Sequence, residues 1–180
     1  MTRNRLAYLV ALWLMAIFSG CSTETSFFQA VRTGDVIGFI EMTERVPDII
    51  HSRNNDGDTP LHWLAKHLTE RDVSGGISVS ISDTGVETEG GRYLIFLSLV
   101  KDSSDINARN NMGDTPLHSA CRRRSHVAAI SLIQAGADID MRDARGLRPA
   151  DLYVAGRGGK READSVHAIF RQASEELHLE

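Results

Sequence analysis

Of the seven histidines, His62, His67 and His118, with the acidic loop before His62, fall in motifs whose residue types could do chemistry near pH 7. His62 and His67 lie five residues apart without a third ligand, unlike the i, i+4 pair of a helical zinc motif. Asn54-Asn55-Asp56-Gly57-Asp58 has the composition of a calcium loop but neither the spacing nor the distal Glu of an EF-hand. No Gly-rich segment ends in the Lys-Ser/Thr of a phosphate cradle, and no Gly-x-Ser-x-Gly elbow occurs. The expectation is a chain without catalytic residues, metal site, cofactor or small-molecule substrate. Of the two cysteines, Cys121 falls in a helical pattern at a position suited to Ala and reads as a small buried hydrophobe. Arg122-Arg123-Arg124 is the basic cluster beside an apolar helix. It is either a solvated helix end favoured by the dipole or an anchor for a carboxylate-rich partner.

These groups need a scaffold, and charge separates the scaffold from the segment before it. The 180 residues carry 20 Lys+Arg and 24 Asp+Glu, a formal charge of −4. Residues 1–20 contain Arg3 and Arg5, no acid, and an apolar run from Leu6 to Phe18. Without them, 160 residues carry 18 basic and 24 acidic side chains, a formal charge of −6. That balance argues against a nucleic-acid partner, which needs a basic stripe. The run is shorter than the roughly 20 residues of a comfortable membrane span and fits an export signal. It ends in Phe18-Ser19-Gly20-Cys21, which resembles the lipobox of bacterial lipoproteins, with Phe18 where that family prefers Leu. The resemblance implies that Cys21 is lipidated and becomes the new N-terminus. Ser22 is similar to the pattern sorted to the outer membrane, the periplasmic face being the expected location; inner or outer membrane depends on the host. The expected division is a signal peptide at 1–20, a lipidated N-terminus and short linker at 21–26, and one domain at 27–180.

Self-similarity organises that domain. Asn55-Asp56-Gly57-Asp58-Thr59-Pro60-Leu61-His62 returns as Asn111-Met112-Gly113-Asp114-Thr115-Pro116-Leu117-His118, and Arg145-Gly146-Leu147-Arg148-Pro149-Ala150-Asp151-Leu152 is a weaker third copy. Pro149 follows Pro116 by 33 residues, and Pro60 precedes Pro116 by 56, which is 33 plus an insertion of 23. The Thr-Pro-Leu-His core and the 33-residue period resemble the ankyrin repeat. Gly136-Ala137-Asp138-Ile139-Asp140 matches that family's end-of-repeat turn, with Ser104-Asp105-Ile106-Asn107-Ala108 a looser counterpart. The fold implied is an all-α solenoid of about four ankyrin repeats, two of them degenerate caps.

Physical reasons support the motif. Thr59 and Thr115 can accept from otherwise orphaned helix N–H groups, and Pro60 and Pro116 suit the first helical position. Gly57, Gly113 and Gly146 fall in turns where a positive φ is expected. Gly136 follows Ile130, Leu132 and Ile133 as a helix C-cap. The first unit starts at Phe27 with Gly34-Asp35 as its inter-helix turn, and Val36, Ile37, Phe39 and Ile40 lie in its second helix. The second runs from about Asn54 to Ala108, the third from Asn110 to Met141, and the last begins at Asp143. That last unit is interrupted from Gly156 to Arg161 and ends in a helix with Val166, Ile169, Phe170, Ala173 and Leu177 at helical spacing, Arg171, Glu175 and Glu176 facing out. One such helix pair cannot bury its apolar face alone, so the units must stack.

The departure from the repeat is the insertion at about 68–90. Ile77-Ser78-Val79-Ser80-Ile81-Ser82 alternates, Asp83-Thr84-Gly85 can turn and Val86-Glu87-Thr88 can return. The expectation is a small β-hairpin in repeat two between Gly75-Gly76 and Gly90-Gly91 hinges, offering an edge to a partner strand or having no role.

By the resemblance, His62 and His118 tie neighbouring units, and a protein partner of unknown identity binds the turn tips and first-helix faces. Mapped here these are Asn55, Asp56, Asp58, Lys66 and His67, then Asn111, Met112, Asp114, Arg122 and Arg123, then Ala144, Arg145 and Leu147. Trp63, directly after the motif His, is expected in the core. The function expected is a protein-interaction module tethered to the membrane by its N-terminal lipid, an immunity or accessory factor by analogy. The alternative is a structural or stress-related envelope protein without one dedicated partner.

Overall fold

Helices of eight to twelve residues, each too short to be stable in isolation, dominate the chain, so tertiary packing must hold them. A computed structural model describes residues 23–74, 78–82, 85–102, 104–153, 167–173 and 175. The expected signal peptide and Cys21, the interruption at 156–161, and Val166, Glu176 and Leu177 lie outside the described residues. In chain order the helices are α1 (23–33), α2 (Val36–Arg45), a 3-10 turn Pro47–His51, α3 (Pro60–His67), α4 (Glu70–Ser74), α5 (Gly91–Asp102), α6 (Pro116–Arg123), α7 (His126–Gln134), α8 (Pro149–Tyr153) and α9 (167–173). Residues 23–26, expected as linker, are already helical within α1.

The helices stack in two rows, an all-α repeat solenoid. Helix α6 packs between α3 and α8 in the inner row, with Arg32 of α1 over Trp63 of α3. The outer row runs α2, α5, α7. An inner helix has neighbours on both sides and an outer helix behind it, which is why α6 is buried continuously from Pro116 to Cys121. Its outer partner α7 presents Ala128, Ala129, Leu132 and Ile133 to the core. Phe27, Leu64, Phe96, Leu117 and Leu132 are fully buried in one continuous core. Each contributes about 2 kcal/mol of burial. Cys121 is buried as expected, and burial holds its thiol well above the usual range, an unreactive position. In α9, Phe170 is buried against Tyr153 and Ala173 half-buried, but Ile169, expected in the core, is exposed.

Within the second pair, α4 and two strand segments separate α3 from α5. Segments β1 (Ser78–Ser82) and β2 (Gly85–Glu89) run antiparallel, Val79 opposite Thr88 and Ile81 opposite Val86. The base of this excursion is fixed. Leu68 is buried with its carbonyl accepting from Ser125 Oγ at 2.9 Å, and Asp72 pairs with Arg92 at 2.9 Å. Gly91, expected as a hinge, is instead the buried first residue of α5.

The turn joining α6 to α7 is strained. Arg124 is the one non-glycine with positive φ among the described residues, at +57°, where the first unit has Gly34 at +77°. The left-handed region costs an ordinary residue about 1–2 kcal/mol. Arg124→Gly is therefore expected to raise the unfolding free energy by about 1 kcal/mol, read as a higher urea midpoint at unchanged slope. A lower midpoint would mean that the Arg side chain holds this end of α6.

Candidate functional site

Three turns of one design line one edge of the solenoid. Asn54 Oδ1 accepts from the N–H of Asp56 and of Asp58, both at 2.9 Å. Asn110 Oδ1 accepts from Met112 and Asp114 at 2.9 and 3.0 Å, and Asp143 Oδ1 from Arg145 and Leu147 at 2.8 and 2.9 Å. This local bonding shapes each loop before any contact between units. The tips are then linked to one another, Asn111 N–H donating to Asp56 C=O at 3.1 Å and Ala144 N–H to Met112 C=O at 3.2 Å.

An arginine precedes each turn, a signal missed in the sequence although it recurs at the same offsets. Arg53 Nη1 donates to Gly57 C=O at 2.9 Å and across to Arg109 C=O at 2.7 Å. Arg109 Nη2 reaches Arg142 C=O at 2.6 Å, and Arg142 Nη1 closes on Gly146 C=O at 2.7 Å. The repeating motif therefore begins at Arg53, Arg109 and Arg142, one residue before the Asn or Asp.

Behind the turns, the motif histidines join the units. His62 Nδ1 accepts from Thr59 N–H at 3.3 Å and from its hydroxyl at 2.9 Å, and His118 Nδ1 from Thr115 at 3.2 and 2.8 Å. With Nδ1 an acceptor, Nε2 carries the proton. It donates to Asp114 C=O from His62 and to Leu147 C=O from His118, both at 3.0 Å. Each imidazole thus reciprocates the threonine in a capping box and reaches the following unit. The threonines act mainly through this ring rather than as simple caps, although Thr115 Oγ1 also accepts from His118 N–H at 3.4 Å. Burial lowers both histidine pKa values, opposed by the carbonyl each ring bonds and by Asp58 near His62 and Asp114 and Asp143 near His118. In the last unit Asp151 takes the same place, accepting from Arg148 N–H at 2.8 Å.

The acidic motif residues turn inward. Asp58 and Asp114 are only 2% and 1% exposed. Asp58 pairs with Lys66 and accepts from Asn110 Nδ2 at 2.7 Å, while Asp114 pairs with Arg122. Asp58 and Asp114, mapped from the sequence as partner contacts, thus hold their carboxylates inside the fold, and Lys66 and Arg122 are committed to them. Asp114 Oδ1 has no hydrogen-bond partner among the described residues. The residue aligned with Asn110 in the next unit is Asp143, which has no amide to donate. Its own carboxyl pKa is lowered: burial pushes it up, but bonds from Leu147 N–H and Arg145 outweigh that. Asp143→Asn is expected to stabilise the fold by about 1 kcal/mol by supplying the missing donor, measured by urea unfolding. A loss would place the weight on the Asp143–Arg145 ion pair.

The remaining mapped residues form the accessible surface. Asn55, Asp56, Asn111, Met112, Ala144 and Arg145 are exposed at the tips, with Leu147 half-buried behind them. Arg123 is exposed at the end of α6. His67 is half-buried and stacked on Trp63 with ring centroids 4.1 Å apart, and Arg32 lies 5.9 Å over the Trp63 ring. Trp63, expected in the core, is therefore half-buried at a cation–aromatic cluster on the inner face. Among the described residues no group of three or more His, Cys, Asp or Glu is placed to hold a metal, and no helix is long and apolar enough to cross a membrane.

Stacked helix pairs, glycine-based turns and a histidine link define a helical repeat protein. In particular, residues 112–144 match the Ankyrin repeat family, so the chain contains an ankyrin repeat. It is similar to a putative ankyrin repeat protein of Rickettsia bellii, 42% identical over 95 residues, 53% of this chain and 55% of that one. It also resembles the ANK repeat-containing protein nipk-1 of Caenorhabditis elegans, 30% identical over 108 residues, 60% of this chain and 15% of the relative. NF-kappa-B inhibitor alpha of Gallus gallus is 38% identical over 65 residues, 36% of this chain and 20% of the inhibitor. The chain thus spans about half the length of the Rickettsia relative and a fifth or less of the other two. Ankyrin repeats generally mediate protein–protein interaction, and proteins built from them are typically non-enzymatic interaction modules.

Proposed function

We propose that this chain is a four-unit ankyrin module tethered to a bacterial envelope membrane through a lipid on Cys21, where it binds one protein partner as an immunity or accessory factor. The observation that supports partner binding is the strip of linked turn tips. Asn55 and Asp56, Asn111 and Met112, and Ala144 and Arg145 stand in register through two inter-unit backbone bonds. Met112 is exposed at the centre of that strip. A preorganised strip loses little entropy on binding, and an exposed methionine among polar tips is an adaptable apolar anchor. The tip charges run from Asp56 to Arg145, giving the partner a polarity to match. Arg123 and the Arg32–Trp63–His67 cluster extend the surface along the inner helices. The β1–β2 excursion is a second candidate contact, its edge suited to an added strand.

Affinity capture from the native envelope tests this reading. The wild type should return one stoichiometric protein, and Met112→Asp and Arg123→Glu should each weaken that complex at least tenfold without changing the unfolding midpoint. Arg122→Glu is a poor substitute, because it would expel a charge partner from buried Asp114. No reproducible partner would favour a structural or stress-related envelope protein. A fatty-acid label incorporated by the wild type and not by Cys21→Ala would establish the tether.

A further inference from the structure

The outer helices repeat a feature that partner binding by the tips does not use. In α2, α5 and α7 a buried residue, Phe39, Phe96 or Ala129, is followed directly by an exposed branched aliphatic. These are Ile40, Leu97 and Ile130, exposed by 47%, 39% and 56%. The three helices are neighbours in the outer row, so the side chains line up across successive units. Ile37, one turn earlier in α2, and Val46 just beyond it are also exposed. Single exposed aliphatics are ordinary on a protein surface, but one at the same place on three adjoining helices makes a strip, and apolar strips mark contact surfaces.

The chain before the fold points to what covers it. If Cys21 carries a lipid, the anchored residue precedes the first turn of α1 by two positions, at most about 7 Å of chain. Helices α1 and α2 form a hairpin, Phe27 stacking on Phe39 at 5.5 Å, so the start of α1 lies at the same end as Arg45 and Val46. A body held this close must turn one face to the lipid, and the face least costly to desolvate is the one whose helices carry the aliphatics. Between His126 and Gln134, α7 has no Lys, Arg, Asp or Glu. Exposed Glu41 and Glu44 on α2 are matched by exposed Arg45 on α2 and Lys101 on α5, so these charges favour no anionic layer and the lipid recognised is a neutral headgroup layer.

We propose that the Ile40–Leu97–Ile130 strip is a lipid-facing surface on which the anchored protein lies, leaving its turn tips and inner helices toward the aqueous side. The inference rests on the reading of Cys21 as the lipid site. The strip orients the protein, and the acyl chains anchor it.

The test uses the full lipidated protein in vesicles of phosphatidylethanolamine and phosphatidylcholine. A polarity-sensitive fluorophore is attached at Ile40→Cys or Ile130→Cys in the strip and at Asn111→Cys or Arg123→Cys away from it. Cys121 is buried and does not compete for the label. Lipid-borne nitroxide should quench the strip labels at least threefold more than the others, and aqueous iodide should show the reverse order. Equal quenching at all four positions while the protein stays on the vesicles would overturn the lipid-facing strip and leave the anchor standing. Wild-type protein that floats free would overturn the anchor and the strip with it. Strip labels shielded equally in soluble Cys21→Ala protein would assign the surface to a second copy of the chain instead.

Discussion

His62→Ala is expected to lower the unfolding free energy by about 4 kcal/mol. The change removes the acceptor of Thr59 N–H and hydroxyl and the donor to Asp114 C=O, all in a fully buried place. Each buried group left unpaired costs about 1–3 kcal/mol, and the vacated ring volume adds a cavity cost. His62→Asn, whose amide can still serve the Thr59 cap but cannot span to Asp114, should cost about half as much. Urea unfolding at pH 7.5 checks both. Acid titration gives an independent readout. Burial depresses the His62 and His118 pKa values, so the unfolded chain binds more protons than the folded one below pH 6.5. Their contribution is therefore complete above about pH 6.5 and declines as pH falls from there toward the folded pKa values. The wild type should lose stability between pH 7 and pH 5, and His62→Asn should show a smaller loss over the same interval. An identical pH slope in the two proteins would mean that His62 is not held neutral by its site.

Gly113→Ala is expected to cost about 3 kcal/mol, and Gly146→Ala only about 1 kcal/mol. Both glycines have positive φ, +73° and +80°, so the conformational cost is shared. The surroundings differ. A Cβ at residue 113 would stand 2.8 Å from Ala144 N and 3.0 Å from Arg109 Nη2, whereas one at residue 146 meets nothing within 4 Å. Ala144 N donates to Met112 C=O, so the intruding methyl displaces the bond that holds neighbouring tips in register. The pair separates backbone strain from loss of the link between tips. If the two variants were equally destabilised, close approach of the units would not be what selects glycine at 113. Partner binding should follow the same order, since only Gly113→Ala disturbs the tip strip.

The repeat was legible because residue identity and spacing dictate it. Pro60 and Pro116 begin helices, and Gly57, Gly113, Gly136 and Gly146 take positive φ, all where the repeated motif puts them. The histidine links were legible only through the resemblance, since no local rule tells His118 that a carbonyl of Leu147 waits in the next unit. What failed did so where packing rather than local spacing decides. Asp58 and Asp114 look like solvent-facing acids in a polar loop, and only the placement of Lys66, Arg122 and Asn110 reveals buried ion pairs. Ile169 satisfied a helical period that could not specify which stripe faces the core. Arg53, Arg109 and Arg142 were overlooked because a lone arginine in a loop has no intrinsic signature, although its recurrence beside each turn was available. Gly91 reads as a hinge because glycine is a breaker, whereas it is buried at the start of α5 beside Gly34, where a Cβ on Gly34 would stand 2.9 Å from Arg92 N.

The position of the 23-residue excursion inside a unit, rather than between units, has a kinetic consequence. Helices α6 and α7 are joined by two residues, while α3 and α5 must find each other across residues 68–90. Closing the longer loop costs on the order of 2 kcal/mol more. A solenoid can nucleate at any unit and grow by adding neighbours. The third unit is therefore expected to form first, with α3 docking on α6 before α5 returns to complete its own pair. During that interval the apolar sides of α3 and α1 wait uncovered. The second unit is then the step at which a folding chain is most exposed to wrong associations, and the fixed base of the excursion, Asp72 to Arg92 and Leu68 to Ser125, is the set of contacts that would close that interval.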